Sequence, residues 1–334
     1  MKKYLAILAV LFTAILSSCS NDDNIQVNQV ITFKVNPSTV ISSYKEFDVG
    51  ELSALPSNAN LRIRILIYNE DGNLVDEDVT YTNDYTHIMT TSLNLAQGNY
   101  TAVACTDVVL NNKTFEFWDL SGKETLSTTT FTDKGKIGDR WKILGLKVAH
   151  FSVDRNTTEL NIDVKPAGAL ILVWWKNWNR YSNVTAFRLY TNRSSDQMTL
   201  GASGNPSYSV ESSYDLDWNI AQLSYNSDYN GGQAYVFSFP IKNMTVQFGA
   251  GLENNKYTLF KNAEAVVNIE LGREYYFTYD VKSEECEWLV LTDVDARSSE
   301  SSLEYYGNNA TSNSFDNNQS IRVIDFVEPG ELSD

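Results

Sequence analysis

The chain has 334 residues, enough for about two domains at ~150 residues each. Apolar residues make up 43% and charged residues 20%, which excludes wholesale disorder and a polytopic membrane protein, and a chain of this size needs no disulfide or metal staples. The formal charge of −16 repels phosphate backbones, so nucleic acid and anionic headgroups are disfavoured as partners, while protein and polysaccharide remain open.

Lys2 and Lys3 precede an apolar run from Tyr4 to Leu16. That run is too short for a spanning helix of ~20 residues but suits a secretory signal. It ends in Leu16-Ser17-Ser18-Cys19, which resembles the lipobox of bacterial lipoproteins. The resemblance implies that residues 1–18 are a lipoprotein signal peptide and that Cys19 is diacylated as the first residue of the mature chain. An ordinary signal peptide that happens to hold a cysteine is the alternative. Two or more acyl chains anchor stably at ~0.8 kcal/mol per buried methylene, so the expectation is a protein tethered to the outer membrane through Cys19 and not spanning it. Residues 19–27 read as an acidic tether. Within it Ser20, Asn21, Asp22 and Asp23 resemble the surface-export signal of Bacteroidota lipoproteins, although a solvated tether has the same composition.

The body reads almost entirely as strands. Val30-Ile31-Thr32-Phe33-Lys34-Val35 gives the first. Leu61, Ile63, Ile65 and Ile67 alternate with Arg62, Arg64 and Leu66 before an Asp71-Gly72 turn, a hairpin pattern. Leu93-Asn94-Leu95, a turn at Gln97-Gly98 and a strand from Tyr100 to Cys105 follow. Thr130 to Leu146 carries few strand signals and reads as an irregular connection with a short helix, and the domain boundary is placed near its end.

Leu160, Ile162 and Val164 then alternate with polar residues, Pro166-Ala167-Gly168 breaks the run, and Ala169 to Trp175 resumes it. Further strands are read at Val184–Tyr190, Tyr235–Phe239, Met244–Phe248, Lys256–Phe260, Ala265–Leu271 and Tyr275–Val281. A glycine turn between a leucine-ending strand and a tyrosine occurs twice, at Leu95 to Tyr100 and Leu271 to Tyr275. The reading is all-β, with two tandem β-sandwich domains at 28–147 and 148–290. Residues 291–334 form an acidic, Ser/Asn-rich tail closed by a strand containing Ile321, Val323, Ile324 and Phe326. An isolated strand must pair, either with its own sheet or, as a docking strand, with another chain.

The lipobox, the opening strand, the Leu61 to Tyr68 pattern with its Asp71-Gly72 turn and the Leu95 to Val103 stretch together resemble the fimbrillin superfamily of Bacteroidota. The resemblance covers residues 28 to 290 and implies two transthyretin-like β-sandwiches and a role in surface fimbriae. In that superfamily stalk and tip subunits are matured by an arginine-specific protease that removes the first strand, and a neighbour's strand fills the groove by β-strand addition. From Cys19 to Leu61 there is no arginine, and Arg62 and Arg64 fall inside a core strand. The resemblance therefore implies an anchoring subunit that keeps its lipid and its first strand. Cleavage by another protease near Lys34 or Lys45, or a stand-alone adhesin, are the alternatives.

Enzyme chemistry has little to work with. His87 and His150 stand far apart with no ligand spacing around them, and the acidic groups at Asp76, Glu77 and Asp78 and at Asp293 and Asp295 read as solvated polar stretches, so no catalytic, metal or cofactor site is expected. Cys105 and Cys286 lie in apolar strand contexts 181 positions apart and read as free buried thiols. The rival function is a glycan-binding surface lipoprotein of a polysaccharide-uptake system. Trp174, Trp175, Trp178 and Tyr181 cluster, and flat rings stack on sugars when exposed. Alternation puts Trp174 and Trp175 on opposite faces of a strand, so core packing of one and edge covering by the others is the plainer reading.

Overall fold

In a computed structural model the described residues are 28–37, 40, 57–84, 86–110, 113–134, 141–177, 184–209, 211–219, 224–226, 231–252, 256–259, 265–271, 273–280, 285–291 and 303–306. The expected signal peptide and tether, and the strand at 321–327, lie outside them.

The first half contains β1 (Gln29–Asn36), β2 (Asn60–Asn69), β3 (Leu74–Thr82), β4 (Met89–Leu95), β5 (Gly98–Leu110), β6 (Phe115–Glu116), β7 (Trp118–Ser121), β8 (Thr130–Asp133), β9 (Leu144–Val153), β10 (Glu159–Asp163) and β11 (Lys165–Pro166). The second contains β12 (Ala169–Lys176), β13 (Val184–Ser194), β14 (Gln197–Leu200), β15 (Pro206–Tyr208), β16 (Glu211–Asn219), β17 (Ser224–Asn226), β18 (Gly231–Ser238), β19 (Ile241–Leu252), β20 (Lys256–Leu259), β21 (Ala265–Ile269), β22 (Glu274–Asp280), β23 (Glu285–Leu291) and β24 (Leu303–Tyr306). The fold is all-β, with a 3-10 turn at Leu126–Thr128 between strands.

Each half is a two-sheet sandwich, and the two repeat one wiring. In the first, β1 lies between β4, to which it is antiparallel, and β10, to which it is parallel. In the second, β12 lies in the same way between antiparallel β18 and parallel β22. The facing sheets run β9-β5-β2-β3 and β21-β19-β13-β16. By this wiring the β4–β5 turn corresponds to the β18–β19 turn, not to the β21–β22 turn that the glycine pattern suggests. What the two glycine turns share is local. Tyr100 Oη donates to the Ala96 carbonyl at 2.9 Å, and Tyr275 Oη donates to the Asn268 carbonyl at 2.8 Å, so each tyrosine ties its turn shut.

The strands that carry the sandwiches are apolar on both faces, the pattern of strands covered on both sides. On β2, Ile63, Ile65 and Ile67 face the core that also holds Ile31, Phe33 and Val35. Its other face carries Leu66 and Tyr68, which pack with Val103, Leu126 and Leu200. The cover over that second face comes from a further sheet ordered β15-β14-β8-β7, which takes two strands from each half. Thr130, Phe131 and Thr132 of β8 pair with Thr199, Met198 and Gln197 of β14. The halves are thus joined by backbone hydrogen bonds and by one continuous core, because Leu170, Leu172, Met198, Phe237 and Phe239 belong to the same cluster as the first-half residues.

Three sequence expectations are corrected here. The boundary at 147/148 falls inside β9, whose whole length pairs with β5, and β10 pairs with β1, so pairing carries the first domain to Ala167. The break is the Pro166-Ala167-Gly168 turn. At Gly168 an added Cβ would stand 2.5 Å from a Phe237 ring carbon and 2.6 Å from the Ser238 carbonyl, so a side chain there would push β12 off β18. Second, the stretch from Thr130 to Leu146 holds β8 and the start of β9, its β-branched threonines suiting a strand. Third, Asp76, Glu77 and Asp78, read as a solvated polar stretch, lie half-buried within β3.

Candidate functional site

The first strand is the element on which the fimbrial reading turns. Through Gln29 to Val35 it pairs with β4, and through Thr32 to Asn36 with β10, so it is the middle strand of its sheet. Ile31, Phe33 and Val35 are fully buried, each worth about 1.5–3 kcal/mol of apolar burial. Phe33 meets Phe151 edge-on at 5.6 Å, and Phe151 stacks on Tyr100 at 5.7 Å. The outward side chains are tied as well. Thr32 and Ser92 hydroxyls meet at 3.2 Å, Lys34 pairs with Glu159 at 2.7 Å, and Asn36 donates to Asp163 at 3.0 Å. A hydrogen bond from Lys34, with a second from Asn161, holds the Glu159 carboxyl below its usual range. Taking β1 away would leave an apolar slot between β4 and β10 with both strand edges unpaired.

Next along the chain come the first two arginines, one buried and one half-buried. Arg62 is 6% exposed; its Nε and Nη2 donate to the two carboxylate oxygens of Asp107 at 2.8 and 2.7 Å, and its Nη1 to Glu116 at 2.5 Å. Burial works against the Arg62 charge. The hydrogen bonds and charge of Asp107, seconded by Glu116, outweigh it and hold the guanidinium protonated above its usual range. Burial pushes the Asp107 carboxyl up, in spite of Arg62. Glu116 is pushed up by its own partial burial but pulled further down by Arg62 and Lys134, so it ends below its usual range. Arg64 lies beside Glu77 at 3.7 Å, and Glu77 is also bonded by Lys123. Trp118, Leu120, Phe131 and Leu144 cover this charged patch. Cys105 lies in it as a free buried thiol whose pKa burial pushes up to about 12.

Two members of the aromatic cluster, Trp174 and Trp175, lie among the described residues. Trp175 is fully buried, stacked on Phe187 at 5.0 Å and edge-on to Phe248 at 6.1 Å between the sheets of the second sandwich. Trp174, on the opposite face of β12, is half-buried and packs against the shared core. The two therefore do not stand as an exposed coplanar pair, because β12 is a central strand covered on both sides. Trp178 and Tyr181 lie outside the described residues, as do Cys19, Ser20, Asp22 and Asp23 and the docking-strand residues Ile321, Val323, Ile324 and Phe326. No group of three metal-binding side chains occurs among the described residues.

The sequence reading missed the joint. Trp118 is its pin: its ring meets Phe237 at 5.0 Å and Phe239 at 5.2 Å, and its indole Nε1 donates to the Ile143 carbonyl at 2.9 Å. Its signal was a tryptophan in the aromatic-rich Phe115 to Leu120 stretch, read as part of no element.

No family model and no curated protein matches the chain. Among solved structures it resembles a candidate polysaccharide-binding protein from Bacteroides thetaiotaomicron, at 9% identity and a TM-score of 0.48 over 85% of this chain and 100% of that one. It also resembles a candidate adhesin from the same species, at 10% identity and a TM-score of 0.47 over 78% of this chain and 96% of that one. A third is the fimbrial anchor protein Mfa2 from Porphyromonas gingivalis, at 10% identity and a TM-score of 0.40 over 75% of this chain and 90% of that one.

Proposed function

We propose that this chain is a surface-exposed outer-membrane lipoprotein that serves as a structural, anchoring subunit of fimbriae and so takes part in cell adhesion. The observation that carries the reading is the seat of β1. It is the middle strand of its sheet with three fully buried side chains, and the first arginine after Cys19 is locked between Asp107 and Glu116. An arginine-specific protease acting on the folded chain has no exposed substrate between Cys19 and Arg62 among the described residues, so the slot between β4 and β10 stays filled from within. A subunit whose own strand fills its slot cannot accept a neighbour's strand there, which suits the fixed end of a polymer. Attachment rests on acylation of Cys19 followed by the acidic Ser20 to Asp23 tether. Fimbrial partners join by β-strand addition elsewhere, for which the 321–327 segment is the candidate donor.

The test is N-terminal and intact-mass analysis of the protein purified from its native outer membrane. The expected result is a lipid-modified Cys19 at the start of a chain that retains β1. A lipid-free chain beginning beyond Asn36 would make it a polymerising subunit. Deleting 315–334 is expected to abolish incorporation of partner subunits while leaving Tm unchanged. A large loss of stability would instead assign that strand to the molecule's own sheet.

A further inference from the structure

Under the joint between the halves, Lys142 and Asp133 meet as an ion pair whose side chains are only 2% and 7% exposed. The Lys142 nitrogen lies 5.7 Å from the centre of the Trp118 ring, and Phe131 and Trp141 are buried neighbours in sequence. Opposite charges this deep are expensive to desolvate, and their attraction repays that only in part. Within the step proposed below, a proton passing from Nζ to the carboxylate would free the nitrogen's lone pair, and joining the two groups as one neutral amide would remove both charges, in a site shielded from bulk water.

We propose that Lys142 and Asp133 condense to an intramolecular isopeptide bond. The lone pair of Nζ attacks Asp133 Cγ, and the tetrahedral centre collapses as its bond to the carboxyl hydroxyl breaks. That hydroxyl leaves with one amine proton as water, so the step balances with no oxidant, reductant or activating group. A place for the water adjoins the pair. A cavity of about 30 Å³ is bordered by Asp133, Ser194 and Ser195, large enough for one or two waters. The hydroxyls of Ser194 and Ser195 are buried there with no hydrogen-bond partner in the protein. Arg193 and Asp196 border the same cavity, the first donating to the Lys242 carbonyl at 3.1 Å and the second accepting from Ser209 at 3.2 Å.

The bond would lock β8, the strand that pairs with β14 of the second half, to the segment that enters β9 of the first. Among the described residues Cys105 is a free thiol, so this amide would be the covalent staple of a joint otherwise held by hydrogen bonds and packing.

Tryptic mapping of the full-length protein under denaturing conditions tests this without any variant. Cleavage within 134–140 turns the closed loop into a branched peptide. The expected product joins Glu124–Lys134 to Trp141–Lys147, lighter than the two peptides together by one water and uncut after Lys142. Asp133→Asn is expected to yield the identical branched peptide with ammonia leaving in place of water, and Lys142→Arg to abolish it. Recovery of Glu124–Lys134 as a free linear peptide together with full cleavage after Lys142 would overturn the proposal and leave an ionic pair only.

Discussion

Arg62 shows how a single residue is committed by its surroundings. Its strand alternates, and alternation alone would send Arg62 to solvent; the sheet that joins the halves covers that face and turns a surface charge into a buried one. Arg62→Met should then cost about 3–5 kcal/mol, because it strands Asp107 as an unpaired buried carboxylate. The double variant Arg62→Met with Asp107→Leu should recover most of that loss. Urea denaturation of the three proteins checks it, and a double variant as weak as the single would mean that Asp107 is not the reason. Glu116 makes a separate prediction in pH. Its folded pKa lies below its unfolded one, so its contribution is complete above the usual glutamate value and is lost as pH falls through the lower, folded value. Glu116→Gln should accordingly flatten part of the fall in Tm between pH 7 and the acid range. Parallel Tm curves for the two proteins would remove Glu116 from the acid response.

At the scale of the element, β1 shows how one buried face sets stability. Phe33→Ala removes a ring packed on Phe151 and is expected to destabilise by about 3–5 kcal/mol, whereas Val30→Ala, at a side chain 62% exposed on the same strand, should stay within about 0.5 kcal/mol. Equal effects in thermal melts would mean that the strand is not anchored by its inward face. This strand was legible from its residues, since Ile31, Phe33 and Val35 alternate with polar ones. So was β2, with its hairpin turn. What was not legible depends on pairs distant in sequence. β8 is the four residues Thr130-Phe131-Thr132-Asp133, which pair with β14, and no local pattern reports that partner. The boundary was misplaced for a related reason: β9 carries glycine, lysine and histidine among its apolar residues, and its membership in the first sheet is set by Tyr100 to Cys105 across from it. Trp174 and Trp175 lie on opposite faces of β12, as strand alternation requires, and the cover over the outer face appears only once the joint is built.

For the molecule as a whole, the question is whether two sandwiches repeating one wiring behave as two domains or as one. Independent domains share few contacts and tend to move relative to one another. Here Trp118 of the first half is packed between Phe237 and Phe239 of the second, four strands drawn from both halves form a single sheet, and the first-half core continues into Leu170, Leu172 and Met198. Neither half can unfold without exposing apolar surface of the other, so the chain should melt in one transition whose calorimetric and van't Hoff enthalpies agree. Trp118→Ala removes the ring that both halves share and an indole hydrogen bond, a loss of about 3–5 kcal/mol that falls on the joint and leaves Ile31, Phe33 and Ile65 in one sandwich and Trp175, Phe187 and Phe248 in the other. That variant should split the calorimetric peak in two. Two peaks already present without the substitution would mean that the halves are separable domains and that the joint only orients them; one peak in both proteins would move the coupling from Trp118 to the β8–β14 ladder.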